Sequence, residues 1–148
     1  AAFPVIDKLV QVKQGADLHT STLNQVITYE VARDEAFLDA HIAHLREVYR
    51  QRRDLMLQTM DEYFPAEVTW TRPEGGLFLM VTLPAHLDAT DLLKQALTHD
   101  VAFVPGEGFY IGDAGKNTFR LNFSNSREER IVEGIKRLGG VLKAAVRG

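Results

Sequence analysis

Arg120 lies in the run FRLNFS (119–124), where it alternates with apolar neighbours. A guanidinium on a half-buried strand is costly to strip of water, so it normally has an anion to hold. Two readings are open at this position: a site for a carboxylate ligand, or an edge-strand arginine paired with an internal Asp or Glu. A second group of interest is Leu18-His19-Thr20-Ser21-Thr22, which precedes a helical pattern. Its hydroxyls and amides suit helix capping, and the same donors suit a phosphate at a helix amino terminus. Glu74-Gly75-Gly76 and PGEG (105–108) lack the spacing and the lysine of a nucleotide-binding loop; taken singly, both read as turns. Of the histidines His19, His41, His44, His86 and His99, only His41 and His44 share a helical spacing, and no nearby acid completes a ligand set. A metal centre is not expected.

These residues need elements to place them. Helical periodicity runs from Leu23 to about Tyr63, as one long helix or as two joined within 33–35. Its apolar positions are Phe37, Leu38, Ile42, Leu45, Val48, Tyr49 and Met56. Arg46, Arg50 and Arg53 follow the opposite side, with Glu47 and Asp54 beside them, as on a solvated face. Phe64-Pro65 stops the helix, because proline cannot donate to the helical ladder. Two β-like runs, 67–71 and 77–83, flank RPEGG (72–76) and predict a hairpin. Asp88 or Thr90 caps a short helix bearing Leu92, Leu93, Ala96 and Leu97. Strands are expected over 101–104 and 118–124, and Ser126 with Glu129 forms a capping box for a last helix striped by Ile131, Ile135, Leu138 and Leu142. The fold class is therefore α+β: a long helix followed by a small, mostly antiparallel sheet covered by helices. Its expected core comprises Trp70, Phe78, Met80, Val101, Phe103, Leu121, Phe123, Ile131, Ile135 and Leu138.

Composition narrows the function classes. With 148 residues, 45% hydrophobic and 25% charged, the chain has the make-up of a globular domain. A net charge of -3 and dispersed basic residues argue against nucleic acid as a partner. The absence of cysteine excludes disulfides and thiolate chemistry and fits a reducing cytosol. With no membrane-length apolar run and no signal-peptide pattern, a cytoplasmic protein without a membrane partner is expected. The abrupt apolar start AAFPVI, without an initiator methionine, suggests a piece of a longer protein.

Five runs in order resemble the carboxy-terminal part of a pyridoxal-phosphate-dependent aminotransferase of fold type I. They are DLHTSTLNQ (17–25), LREVYRQRRDLMLQ (45–58), PEGGLFLMVTLP (73–84), VAFVPGEGF (101–109) and FRLNFS (119–124). The likeness is to the branch holding 2-aminoadipate and kynurenine aminotransferases and the aminotransferase-like portion of MocR-type regulators. It implies that residues 1–37 are the tail of the large cofactor-binding domain and 38–148 the small domain. It implies that Arg120 binds the substrate α-carboxylate, that Gly75 and Gly76 line the substrate pocket, and that Thr20 and Ser21 lie near the cofactor phosphate at a homodimer interface.

The resemblance also implies what is missing. The Schiff-base lysine, the aspartate facing the pyridinium nitrogen, the ring-stacking aromatic and the phosphate loop would all precede this segment. Lys8 and Lys13 fall beyond that lysine's expected position and lack its Ser-x-x-Lys setting. The expected function is thus the carboxy-terminal part of an enzyme moving an amino group from an amino acid to a 2-oxo acid. The isolated chain should be inactive, hold no covalent pyridoxal phosphate and contain no catalytic residue of its own. The alternatives are the effector-binding portion of a MocR-type transcriptional regulator, or a stand-alone α+β module that binds a carboxylate or a protein.

Overall fold

The computed structural model describes residues 3–112 and 114–148. The chain forms two compact units, Ala1–His44 and Leu45–Gly148.

In the first unit, helix α1 spans Phe3–Ala16 and α2 spans Thr22–Ala32, and neither contains a buried residue. No helix was expected over α1. The helical pattern from Leu23 resolves into two helices, since Arg33 closes α2 and a new helix α3, Glu35–Tyr63, begins two residues later. The Asp34 carboxylate explains the restart, because it accepts from the Phe37 amide at 3.0 Å and satisfies a first-turn donor. Phe3, Val5, Leu9, Val12, Leu23, Val26 and Ile27 all remain exposed. Apolar surface on this scale favours association. The 148-residue chain is therefore expected to sediment as a dimer or larger species; a clean monomer at high concentration, with protected amides through 23–31, would contradict this.

The second unit holds the core. A four-stranded sheet is built from β1 (Thr69–Trp70), β2 (Phe78–Thr82), β3 (Val104–Pro105) and β4 (Thr118–Asn122), in the order β1-β2-β4-β3. Every pairing is antiparallel. Helices α4 (Ala89–Leu97) and α5 (Glu128–Arg147) complete the α+β architecture. Met60 of α3, Leu79 and Val81 of β2, Phe119 and Leu121 of β4, and Ile135, Leu138 and Leu142 of α5 pack into one cluster with Phe123. Gly139 lets α5 approach the end of α3, because a Cβ there would lie 2.7 Å from the Tyr63 carbonyl oxygen.

Several expectations need correction. Phe78 and Met80 are not buried core residues: β2 turns Leu79 and Val81 inward, and Phe78 is 39% exposed. Strand side chains alternate, so an error of one residue exchanges the faces. Trp70 and Val101 pack on the core only part-buried. The strand expected over 101–104 is confined to Val104–Pro105, where pairing with Arg120 and Phe119 occurs. The capping box does not form, because α5 starts at Glu128 after Arg127, which makes no side-chain cap. Glu128 and Glu129 instead place negative charge on the first turn, where the helix dipole favours it. Asp88 does cap α4, accepting from the amides of Thr90 at 2.7 Å and Asp91 at 3.3 Å.

Candidate functional site

Residue parity on β4 explains where Arg120 sits. Phe119 and Leu121 point into the core, so Arg120 between them projects from the opposite face of the sheet. It is not an edge-strand residue. β4 lies between β2 and β3, and Arg120 pairs with Met80 on one side and Val104 on the other. Beyond Asn122 the strand ends in a local turn, where the Asn122 side-chain carbonyl accepts from the amides of Ser124 at 2.9 Å and Asn125 at 3.1 Å.

Two aromatic rings flank the guanidinium. Its Cζ is 4.0 Å from the centre of the Phe78 ring and 4.5 Å from that of Phe109. Guanidinium over an aromatic face contributes about 0.5 to 2 kcal/mol through attraction to the ring quadrupole. Among the described residues no carboxylate pairs with Arg120. Its Nε is buried without a hydrogen-bond partner. Among the described residues, the internal-salt-bridge reading lacks its acid. A half-buried cation held in place with no described counter-charge is suited to an incoming carboxylate.

Phe78 and Phe109 are the residues that sequence reasoning missed. The run LFLMVTL (77–83) is apolar at almost every position, so its pattern places Phe78 in the core. The register of the sheet decides the face: Phe78 opposes Asn122, and Arg120 opposes Met80, which makes Phe78 and Arg120 diagonal neighbours. Sequence pattern links neither ring to Arg120, and both contacts are made by the fold.

The other expected site residues lie elsewhere. Gly75 and Gly76 border a pocket of about 480 Å³ together with Arg46, Tyr49, Arg50, Arg53, Glu74 and Phe123, and Arg120 is not part of its lining. A Cβ at Gly75 would meet open space, whereas Gly76 has φ +82°, a conformation in which other residues are strained. Two of the three arginines there have partners: Arg50 pairs with Glu47 at 3.0 Å, and Arg53 with Asp54 at 2.6 Å. Arg53 also donates to the Pro73 carbonyl at 3.2 Å, which ties the turn to α3.

Thr20 and Ser21 belong to the first unit. The Ser21 hydroxyl accepts from the Asn24 amide at 3.5 Å and caps α2. The Thr20 carbonyl accepts from Gln25 Nε2 at 2.8 Å, and Thr20 borders a shallow groove with Asn24, Thr28 and Tyr29. Both residues are thus engaged locally at a helix start. No cluster of three metal-ligating side chains occurs among the described residues. Nor is any helix among them long and apolar enough to cross a membrane.

Against this geometry, the sequence matches the model of aminotransferase class I and II over residues 3–138. The chain belongs to the class I and II aminotransferase family. It is 45% identical over 138 residues to the 2-aminoadipate transaminase of Thermus thermophilus, covering 93% of this chain and 34% of that protein. It is 46% identical over 138 residues to aromatic-amino-acid aminotransferase 1 of Thermococcus litoralis, again over 93% of this chain and 33% of the relative. The crystal structure of the alpha-aminoadipate aminotransferase from Thermus thermophilus, complexed with N-(5'-phosphopyridoxyl)-L-leucine, superposes with a TM-score of 0.86 at 41% identity. That match covers 99% of this chain and 37% of the solved one. The chain thus spans about a third of the length of the aminotransferases it matches.

Family membership raises the question of pyridoxal phosphate, and the residues present do not by themselves fit it. An amine that forms a Schiff base must be deprotonated, which usually requires burial or a neighbouring cation. Lys8, Lys13, Lys94, Lys116, Lys136 and Lys143 are all exposed. Lys94 is shifted the wrong way, because its hydrogen bond to Asp91 and the charge of that carboxylate raise its pKa. What this segment does present is the Arg120 guanidinium, flanked by two rings and with its Nε unpartnered.

Proposed function

We propose that this chain is the carboxy-terminal part of an aminotransferase that moves an amino group from an amino acid to a 2-oxo acid. In this reading residues 38–148 are the small domain and residues 1–37 are the tail of the large domain. Arg120 binds the α-carboxylate that the amino acid and the oxo acid have in common. The observation that carries the reading is the Arg120 guanidinium, flanked by two rings and without an acidic partner among the described residues. A planar fork holding both carboxylate oxygens fixes the orientation of the substrate's Cα–H bond. Gly75 and Gly76 line the substrate pocket, where open space beside Gly75 leaves room for ligand. Thr20 and Ser21 lie near the cofactor phosphate in a homodimer, and pyridoxal phosphate is supplied by the remainder of the protein.

Support for the domain assignment comes from coverage of about a third of each relative and from α1 and α2, whose side chains remain exposed. A paired experiment tests the whole reading. The complete protein, loaded with pyridoxal phosphate, is expected to convert a 2-oxo acid to its amino acid in the presence of an amino donor. The 148-residue chain, mixed with the same cofactor and treated with borohydride, is expected to gain no reduced adduct at a specific lysine, because none is placed to form one. Failure of turnover in the complete protein, or a single labelled lysine in the chain, would contradict the proposal.

A further inference from the structure

We propose that Phe78 and Phe109 are positioning residues for Arg120, holding its guanidinium so that a carboxylate is received on the Nη edge. The inference rests on the reading of Arg120 as a carboxylate site. Phe78 reaches the guanidinium from β2 and Phe109 from the short 3-10 turn Glu107–Phe109, so two separate elements fix one side chain. The rings are not paired with each other. They are also poorly buried, at 39% for Phe78 and 50% for Phe109, so core formation does not account for their placement. Arginine has many rotamers, and contact with two rings removes that freedom before ligand arrives. Nε is buried, which leaves the two terminal nitrogens as the accessible donors. A carboxylate therefore meets the fork end-on.

The turn that carries Phe109 is itself held to β4. The Gly106 amide donates to the Thr118 carbonyl at 2.7 Å, two residues from Arg120, and the Phe109 amide donates to the Gly106 carbonyl at 2.8 Å. Gly106 packs so closely that a Cβ would collide with the Thr118 hydroxyl. Gly115, at φ +82°, lies under the Tyr110 ring, where a Cβ would strike the ring carbons. Thr118 Oγ1 donates to the Gly115 carbonyl at 2.8 Å and closes the loop from its far side. Gly106 and Gly115 thus serve close approach, and the result is a fixed platform for one phenylalanine.

The test compares variants of the complete enzyme. Phe109→Leu is expected to lower kcat/KM for both amino acid and oxo acid by about tenfold, with cofactor absorbance unchanged. Phe109→Tyr, which keeps the ring, restores most of the loss. In an Arg120→Lys background, which has no planar fork to orient, Phe109→Leu is expected to change kcat/KM by less than about twofold. A structural role would lower activity equally in both backgrounds, and that result overturns the inference. In the 148-residue chain, the Arg120 side-chain protons should be shifted upfield by ring currents in the NMR spectrum and return toward ordinary values in Phe109→Leu and Phe78→Leu; unshifted protons in the unmodified chain also overturn it. If Phe109→Leu behaves like the unmodified enzyme while Arg120→Ala is crippled, the positioning role fails and the carboxylate site stands. If Arg120→Ala is itself unimpaired, the carboxylate reading fails.

Discussion

Arg120→Ala in the complete enzyme is expected to lower kcat/KM by about a hundredfold, equivalent to about 3 kcal/mol, for amino-acid and oxo-acid substrates alike. The magnitude follows from the setting. The guanidinium is flanked by Phe78 and Phe109, its Nε is buried and no described carboxylate competes for it. A desolvated two-point ion pair contributes both to binding and to orientation at the reacting carbon, so kcat and KM should both suffer. Cofactor loading should be nearly unchanged, since no lysine or phosphate ligand is altered. Arg120→Lys should recover little, because one ammonium keeps the charge but loses the planar fork. Steady-state kinetics against a substrate pair with and without the α-carboxylate provide the check. A near-normal kcat/KM with retained preference for the carboxylate would remove Arg120 from the site.

The largest stability effect is expected at Phe123. This side chain is 1% exposed and belongs to the same cluster as Met60, Leu79, Phe119 and the α5 stripe. Truncation to alanine removes most of an aromatic side chain from a place that the cluster residues of α3, β2, β4 and α5 cannot refill, so both transfer energy and packing are lost. Phe123→Ala should therefore destabilise the second unit by about 3 kcal/mol. Denaturant unfolding should show a lower midpoint with an unchanged slope. A loss below about 1 kcal/mol would place Phe123 at the periphery of the core.

The two predictions concern residues three positions apart with opposite parity. Arg120 lies half-buried on one face of this stretch and Phe123 is buried in the core cluster, and the alternation of FRLNFS already separates them. The sequence by itself determined this much wherever polar and apolar residues alternate. It also determined α5, whose Ile131, Ile135, Leu138 and Leu142 recur at helical spacing and are all buried. A cap of α4 at Asp88 or Thr90, of which the structure uses Asp88, and the hairpin across RPEGG (72–76) were legible for the same reason: cap and turn chemistry are local.

Local pattern was silent where it was uniform. In LFLMVTL (77–83) nearly every position is apolar, so nothing in the run distinguishes Leu79 and Val81, which face the core, from Phe78 and Met80, which do not. The sheet decided that parity through the pairing of β2 with β4, and in doing so placed Phe78 beside Arg120. Ser126 and Glu129 had the spacing of a capping box, yet α5 begins at Glu128, because its start depends on how the chain leaves β4. The contact between Phe109 and Arg120 is the clearest case of what tertiary structure alone supplies. Eleven positions separate them, and no periodicity links a turn to a strand at that distance. The pairing of β3 with β4 and the anchoring of Gly106 to Thr118 carry the ring back over the guanidinium, since side chains distant in sequence become neighbours through backbone pairing that no single segment encodes.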